Sequence, residues 1–107
     1  MKFSFILFYV PFPDLLSAEK AISALLNLRL IACANVYQAQ SFYHWQGAIA
    51  NEGEQVAYLK TLPEKAAEVA TVLEKLHPYQ VPCIAQTEMI CNESYFKWLS
   101  KQVRSEI

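Results

Sequence analysis

An α+β fold is what this chain of 107 residues predicts, and three observations predict it. Four β-prone runs and three amphipathic helical segments follow one another as strand, helix, strand, strand, helix, strand, helix. The two middle strands are separated only by a polar turn, so they form an antiparallel hairpin. That hairpin carries large apolar groups on both of its faces. The length fits one domain, residues 1–107. With 54% hydrophobic residues the chain can bury a core without disulfide or metal staples.

The first strand is residues 2–10, nearly continuous in Phe3, Phe5, Ile6, Leu7, Phe8 and Tyr9, the pattern of a strand covered on both sides. Pro11 and Pro13 end it, because neither can donate to a ladder. Asp14 or Ser17 caps the helix that follows. Ala18, Ile22, Leu25 and Leu26 make its apolar stripe, with Glu19, Lys20 and Ser23 outward, and it fades near residues 27–29. The second strand is residues 31–37, interrupted at Gln38, Ala39 and Gln40.

The hairpin proper spans residues 41–61, with its turn centred on Asn51, Glu52 and Gly53 and a bend at Gly47. Arms of about ten residues at ~3.4 Å each give it a reach of roughly 30 Å. Phe42, Tyr43, Trp45, Ile49, Val56, Tyr58 and Leu59 place apolar groups on both sides.

Pro63 opens the second helix, with Glu64 at its positive end, and Ala66, Val69, Ala70, Leu73 and Leu76 form the buried stripe. Pro78 stops that helix at His77. The last strand is residues 83–91. Asn92 then caps a helix in which Tyr95, Trp98, Leu99 and Gln102 share a face. Right-handed crossovers turn this order into a ferredoxin-like βαββαβ sandwich with both crossover helices on one side, plus a terminal helix and the long hairpin.

That topology leaves the opposite sheet face without cover. Each large side chain buried there contributes ~1.5–3 kcal/mol, so about a dozen outweigh an association cost of ~4–15 kcal/mol. Copies of the chain are therefore expected to pack sheet against sheet.

Charge and composition exclude several function classes. A formal charge of −1, with Lys and Arg scattered singly, offers no basic stripe for nucleic acid. The apolar run at residues 3–10 is too short to span a membrane and has no small-residue cleavage site, so a cytoplasmic protein is expected. Two glycines cannot build a phosphate loop. No Ser, His or Cys sits in a nucleophile–base arrangement, so an enzyme is not expected. Cys33, Cys83 and Cys91, with no C-x-x-C spacing, read as small buried hydrophobes in a reducing compartment rather than a disulfide or zinc framework.

At His77-Pro78-Tyr79-Gln80-Val81-Pro82 the chain resembles a known family. Four further pieces stand in the same order: Ala32-Cys33-Ala34-Asn35-Val36, Ser41-Phe42-Tyr43-His44-Trp45-Gln46-Gly47-Ala48-Ile49, Lys60-Thr61 and Tyr95-Phe96-Lys97-Trp98-Leu99. Together they are similar to CutA, the divalent-cation tolerance family. The resemblance covers nearly the whole chain. It implies a ferredoxin-like subunit in a homotrimer with interlocking hairpins, close in architecture to the PII signalling proteins. It also implies a role in metal tolerance, with copper binding proposed for some members and no catalytic activity established. Tyr9 stands where some members carry a cysteine, and Leu76-His77 where they carry two histidines. Cys83 and Gln80 replace acidic residues.

Two sets of candidate site residues follow. His77 either caps its helix, where the dipole favours a cation and the last carbonyls can be bonded, or ligates a metal. As a ligand, its soft partner for copper(I) or zinc is Cys83. The second set lines intersubunit clefts that would hold a small anion or metabolite in a PII-like sensor: Tyr79, Lys60 and Trp45, with Glu88 placed to pair with Lys60 across the sheet. For Tyr79 a structural role and a pocket role remain open. His44 reads as hairpin packing.

Overall fold

The computed structural model describes residues 2–103; Met1 and residues 104–107 of the expected domain lie outside them. Its elements are β1 (Phe3–Phe12), α1 (Leu15–Asn27), β2 (Cys33–Trp45), β3 (Ala48–Thr61), α2 (Ala66–Leu76, entered through a 3-10 turn at Pro63–Lys65), β4 (Ala85–Cys91) and α3 (Glu93–Gln102). They form one four-stranded sheet in the order β2-β3-β1-β4, with each neighbouring pair antiparallel. This is the ferredoxin-like topology, with the long hairpin and the additional terminal helix.

Alternation along β1 decides the layers. Phe8, Val10 and Phe12 point to the face covered by α1 and α2, where they meet Ala18, Ala21, Leu25, Val69 and Leu73 in the main core. Phe5 belongs to a second, smaller core with Leu62, Leu99 and Val103, joined by Leu7, Tyr95 and Phe96. The face opposite α1 and α2 is thus partly covered by α3, where no cover was expected from within the chain. Beyond α3 it remains open, and Tyr9, Tyr37 and Met89 on it are exposed.

The helices are held at their ends by local chemistry. Asp14 caps α1 by accepting the Ser17 N–H at 2.8 Å. At the other end Arg29 takes φ 60°, and the amides of Leu30 and Arg29 bond the carbonyls of Leu25 and Leu26. That double closure is the Schellman arrangement, here without a glycine. Leu26 and Leu76 stand exposed, so both stripes are narrower than their apolar spacing implies. Asn92 occupies the N-cap position of α3, but its amide bonds Ser94 Oγ rather than a helix N–H.

Two boundaries differ from expectation for reasons of hydrogen bonding. β1 runs through Pro11, which lies opposite Val56, while β4 reaches only as far as Tyr9. The Pro11 carbonyl accepts from His77 on the side away from β3. A residue's N and C=O point the same way in a strand, so the missing N–H faces a side where no ladder bond is required.

The hairpin turn is at Gln46-Gly47, with φ 50° and 82°, not at residues 51–53. Those residues lie inside β3, paired with Phe42, Ser41 and Gln40. Two consecutive left-handed residues make the tight turn whose twist matches the strands. β2 runs unbroken through residues 38–40, and Gly47 is turn rather than bend.

Moving the turn lengthens the arms and leaves much of them unsupported. β1 pairs with β3 only from Gln55 to Thr61. Residues 39–45 and 48–54 therefore form a two-stranded ribbon with no third strand, roughly 24 Å long at ~3.4 Å per residue. The molecule is correspondingly elongated, 48 × 25 × 20 Å. Phe42, Trp45 and Ile49 on the ribbon are 67%, 51% and 71% exposed.

Candidate functional site: a cleft between the ribbon and the loop after the second helix

The site begins with a carboxylate drawn inside. Glu54 is only 7% exposed and sits at the root of the ribbon, opposite Ala39. Ser41 Oγ donates to its Oε1 at 2.5 Å, and the Tyr79 hydroxyl donates to its Oε2 at 2.6 Å. A charge removed from water is tolerable only with such donors. Two residues further out on each strand, Tyr43 donates to Glu52 Oε1 at 2.7 Å. Burial, followed by the Glu54 hydrogen bond and charge, pushes the Tyr79 hydroxyl well above the usual tyrosine range. The Glu52 hydrogen bond raises that of Tyr43.

His77 holds the loop that delivers Tyr79. Pro78 keeps His77 extended, at ψ 133°, so α2 stops and the chain turns toward β1. The imidazole stacks on Phe12, with centroids 4.5 Å apart, and lies 4.9 Å from the Tyr79 ring. Nδ1 accepts the Tyr79 N–H at 3.1 Å, and Nε2 lies 2.7 Å from the Pro11 carbonyl. A carbonyl can only accept and an amide can only donate, so the ring is the Nε2–H tautomer with both nitrogens engaged. It is buried, a neutral strut rather than the charged helix cap of one reading. As a ligand it would first have to release the Tyr79 amide.

The ribbon and this loop enclose a cleft of about 560 Å³ floored by Pro11. Tyr43, His44, Trp45, Glu52 and Glu54 line it from the ribbon, and Tyr79, Val81 and Cys83 from the loop. Cys83 is exposed, not the buried hydrophobe expected of it. Tyr79 and Trp45 are brought together as foreseen, and Lys60 and Glu88 are not.

Lys60 shares a strand and a face with Glu54, but six residues along, roughly 20 Å at ~3.4 Å per residue. It lies under α3, with Nζ 3.3 Å from the Tyr95 hydroxyl and over the rings of Phe5 and Tyr95. Glu88 is opposite Ile6 and Lys60 opposite Leu7. Adjacent β1 positions face opposite ways, so the supposed Lys60–Glu88 pair is separated by the sheet. Glu88 instead bonds Ser4 and lies near Lys2 on the surface.

Within one chain this cleft is lined by two carboxylates and by no lysine or arginine, a balance that favours a cation. Among the described residues, no group of three or more His, Cys, Asp or Glu is placed to hold a metal ion. Ser41, Tyr43 and Glu52 were missed from sequence. A turn placed at Gln46-Gly47 would have found them, since it sets Ser41 opposite Glu52 on the face that carries Glu54.

The sequence profile described as CutA1 divalent ion tolerance protein matches residues 6–102. The chain belongs to this family. The CutA divalent-cation tolerance protein of Pyrococcus horikoshii is 42% identical over 100 residues, covering 92% of this chain and 98% of the relative. The crystal structure of CutA1 from that organism superposes with a TM-score of 0.90 at 40% identity, covering 94% of this chain and 99% of the other. The periplasmic divalent cation tolerance protein CutA of Archaeoglobus fulgidus gives 0.88 at 30% identity, over 94% and 99%. CutA1 membership accounts for the sheet order and the hairpin. Among the described residues no helix is long and apolar enough to cross a membrane.

Proposed function

We propose that the chain is a non-enzymatic, homotrimeric, cytoplasmic divalent-cation tolerance protein that binds copper or another divalent ion weakly where subunits meet. The observation that carries this reading is the bare ribbon. A two-stranded hairpin is marginal alone in water, and this one exposes Phe42, Trp45 and Ile49 at its outer end. A neighbouring copy's sheet, itself open across Tyr9, Tyr37 and Met89, is a cover of matching character. Three unbridged thiols fit a reducing compartment.

The hydroxyls of Ser41 and Tyr79 and both nitrogens of His77 are engaged in holding the cleft together, which supports a binding role over a catalytic one. Of the two residues first considered as ligands, Cys83 is the accessible one. His44 lines the same cleft, and a soft thiol with an imidazole suits copper or zinc. Cys83 and His44 are too few to hold an ion tightly, so in this reading the remaining ligands come from a second chain and the binding is weak.

Two measurements test the reading. Native mass spectrometry should give three chains, and a well-folded monomer at micromolar concentration would overturn it. Calorimetric titration of copper and zinc should lose most of its heat in Cys83→Ser and retain it in a folded His77→Ala variant. Loss of binding in His77→Ala with Cys83→Ser unaffected would move the metal to the imidazole.

A further inference from the structure

We propose that the same cleft is a binding site for an organic ammonium ion, a protonated amine or quaternary ammonium group, independently of any metal at Cys83. The cavity is about 560 Å³, within the range that small-molecule sites occupy. Its walls include the rings of Tyr43, Trp45 and Tyr79, with the carboxylates of Glu52 and Glu54, and none of its lining residues is Lys or Arg. Aromatic faces present negative potential to a cation, and two carboxylates reinforce the sign.

The carboxylates keep acceptor capacity. Each Glu54 oxygen receives one hydrogen bond, and Glu52 receives its bond from Tyr43 on Oε1, whereas a carboxylate has about four lone-pair sites. The tyrosine donors also fix both carboxylates in place, so little ordering is needed when a cation arrives.

Ring faces discriminate between cations. A small divalent ion such as Mg²⁺ demands oxygen ligands and keeps its waters, so aromatic walls contribute little to holding it. A quaternary ammonium group is weakly hydrated and can lay its methyl groups on Trp45 and Tyr79. A protonated amine can lay its methylene groups there and replace lost water by N–H hydrogen bonds to Glu54. The chemistry therefore selects an organic cation over a hard metal ion at this end of the cleft, leaving the thiol end to a soft one.

The test uses the intact assembly, with tetramethylammonium and 1,5-diaminopentane as probes and sodium, magnesium and acetate as controls. Tryptophan fluorescence and thermal shift should both saturate with the two organic cations and not with the controls. Trp45→Ala and Glu52→Gln should each weaken binding about tenfold in the thermal-shift titration. Far-UV dichroism should be unchanged in both, and native mass unchanged in Glu52→Gln, which lies outside the apolar ribbon contacts. Cys83→Ser, a near-isosteric change at the far end of the cleft, should alter ammonium binding less than about twofold while removing most of the metal heat, which separates this proposal from the metal reading. Absence of a saturable response to either amine, or an equal response in Trp45→Ala, overturns it.

Discussion

Tyr79 joins three otherwise separate pieces of the chain. Its amide bonds His77, its ring lies beside the imidazole, and its hydroxyl satisfies Glu54. Tyr79→Phe keeps the ring and deletes one donor to a buried carboxylate, so it should cost about 1–3 kcal/mol of stability in urea denaturation. Its pH dependence has a definite sign. Because the folded hydroxyl titrates above the ordinary value of 10.0, its contribution is fully present below that pH and is lost as pH climbs through the folded value. Melting temperature should therefore fall more steeply above pH ~10 in the wild-type protein than in Tyr79→Phe. Asp14 has the opposite sign. Hydrogen bonds from Ser17 hold its carboxyl below 3.8, so its cap acts above that pH and fades in acid. Asp14→Ala should lower the melting temperature at neutral pH, with the gap to wild type closing as the solution is acidified.

Among the elements, the hairpin offers the sharpest test and the clearest lesson. Gly47 at φ 82° has open space where a Cβ would stand, so Gly47→Ala is opposed by backbone strain alone, about 1–2 kcal/mol by chemical denaturation. Gln46→Asn should raise stability, since asparagine tolerates the left-handed first position of this turn better than glutamine.

Why the turn was misplaced follows from the same residues. Asn51-Glu52-Gly53 has turn composition, yet pairing across the ribbon carries it as strand. Gln46-Gly47 has only half of the usual signature. The strand and helix order was legible because each segment's periodicity is local. The His77-Pro78-Tyr79 corner was legible as a helix stop for the same reason. Glu54 was not legible as the centre of the site. Its partners, Ser41 and Tyr79, reach it across the hairpin and from a loop 25 residues away in sequence, and neither juxtaposition leaves a mark on spacing. Pro11 misled because its role depends on where β4 stops, which is decided by another part of the chain.

For the molecule as a whole, the open sheet face is the quantity to perturb. Tyr9, Tyr37 and Tyr58 form a continuous edge-to-face row across it, with centroids 5.6 and 5.7 Å apart. Tyr37→Asp places a charge in that row, and if the face is an interface the assembly should dissociate, read as a drop in native mass at unchanged helix content. A variant of Glu88, which is surface-exposed on the other face, should leave the mass alone.

Pro11 has a further effect at the margin of the sheet. Where β4 ends, the backbone beside it offers a stray polypeptide no donor, and its carbonyl is already occupied by His77. An intruding segment that tried to zip along this border would find the seam closed for want of complementary groups. The closure is confined to the stretch of β1 that β4 leaves uncovered. Any chain adding to this side of the sheet must therefore do so along the outer edge of β4, Ala85–Cys91, and cannot continue past it onto β1.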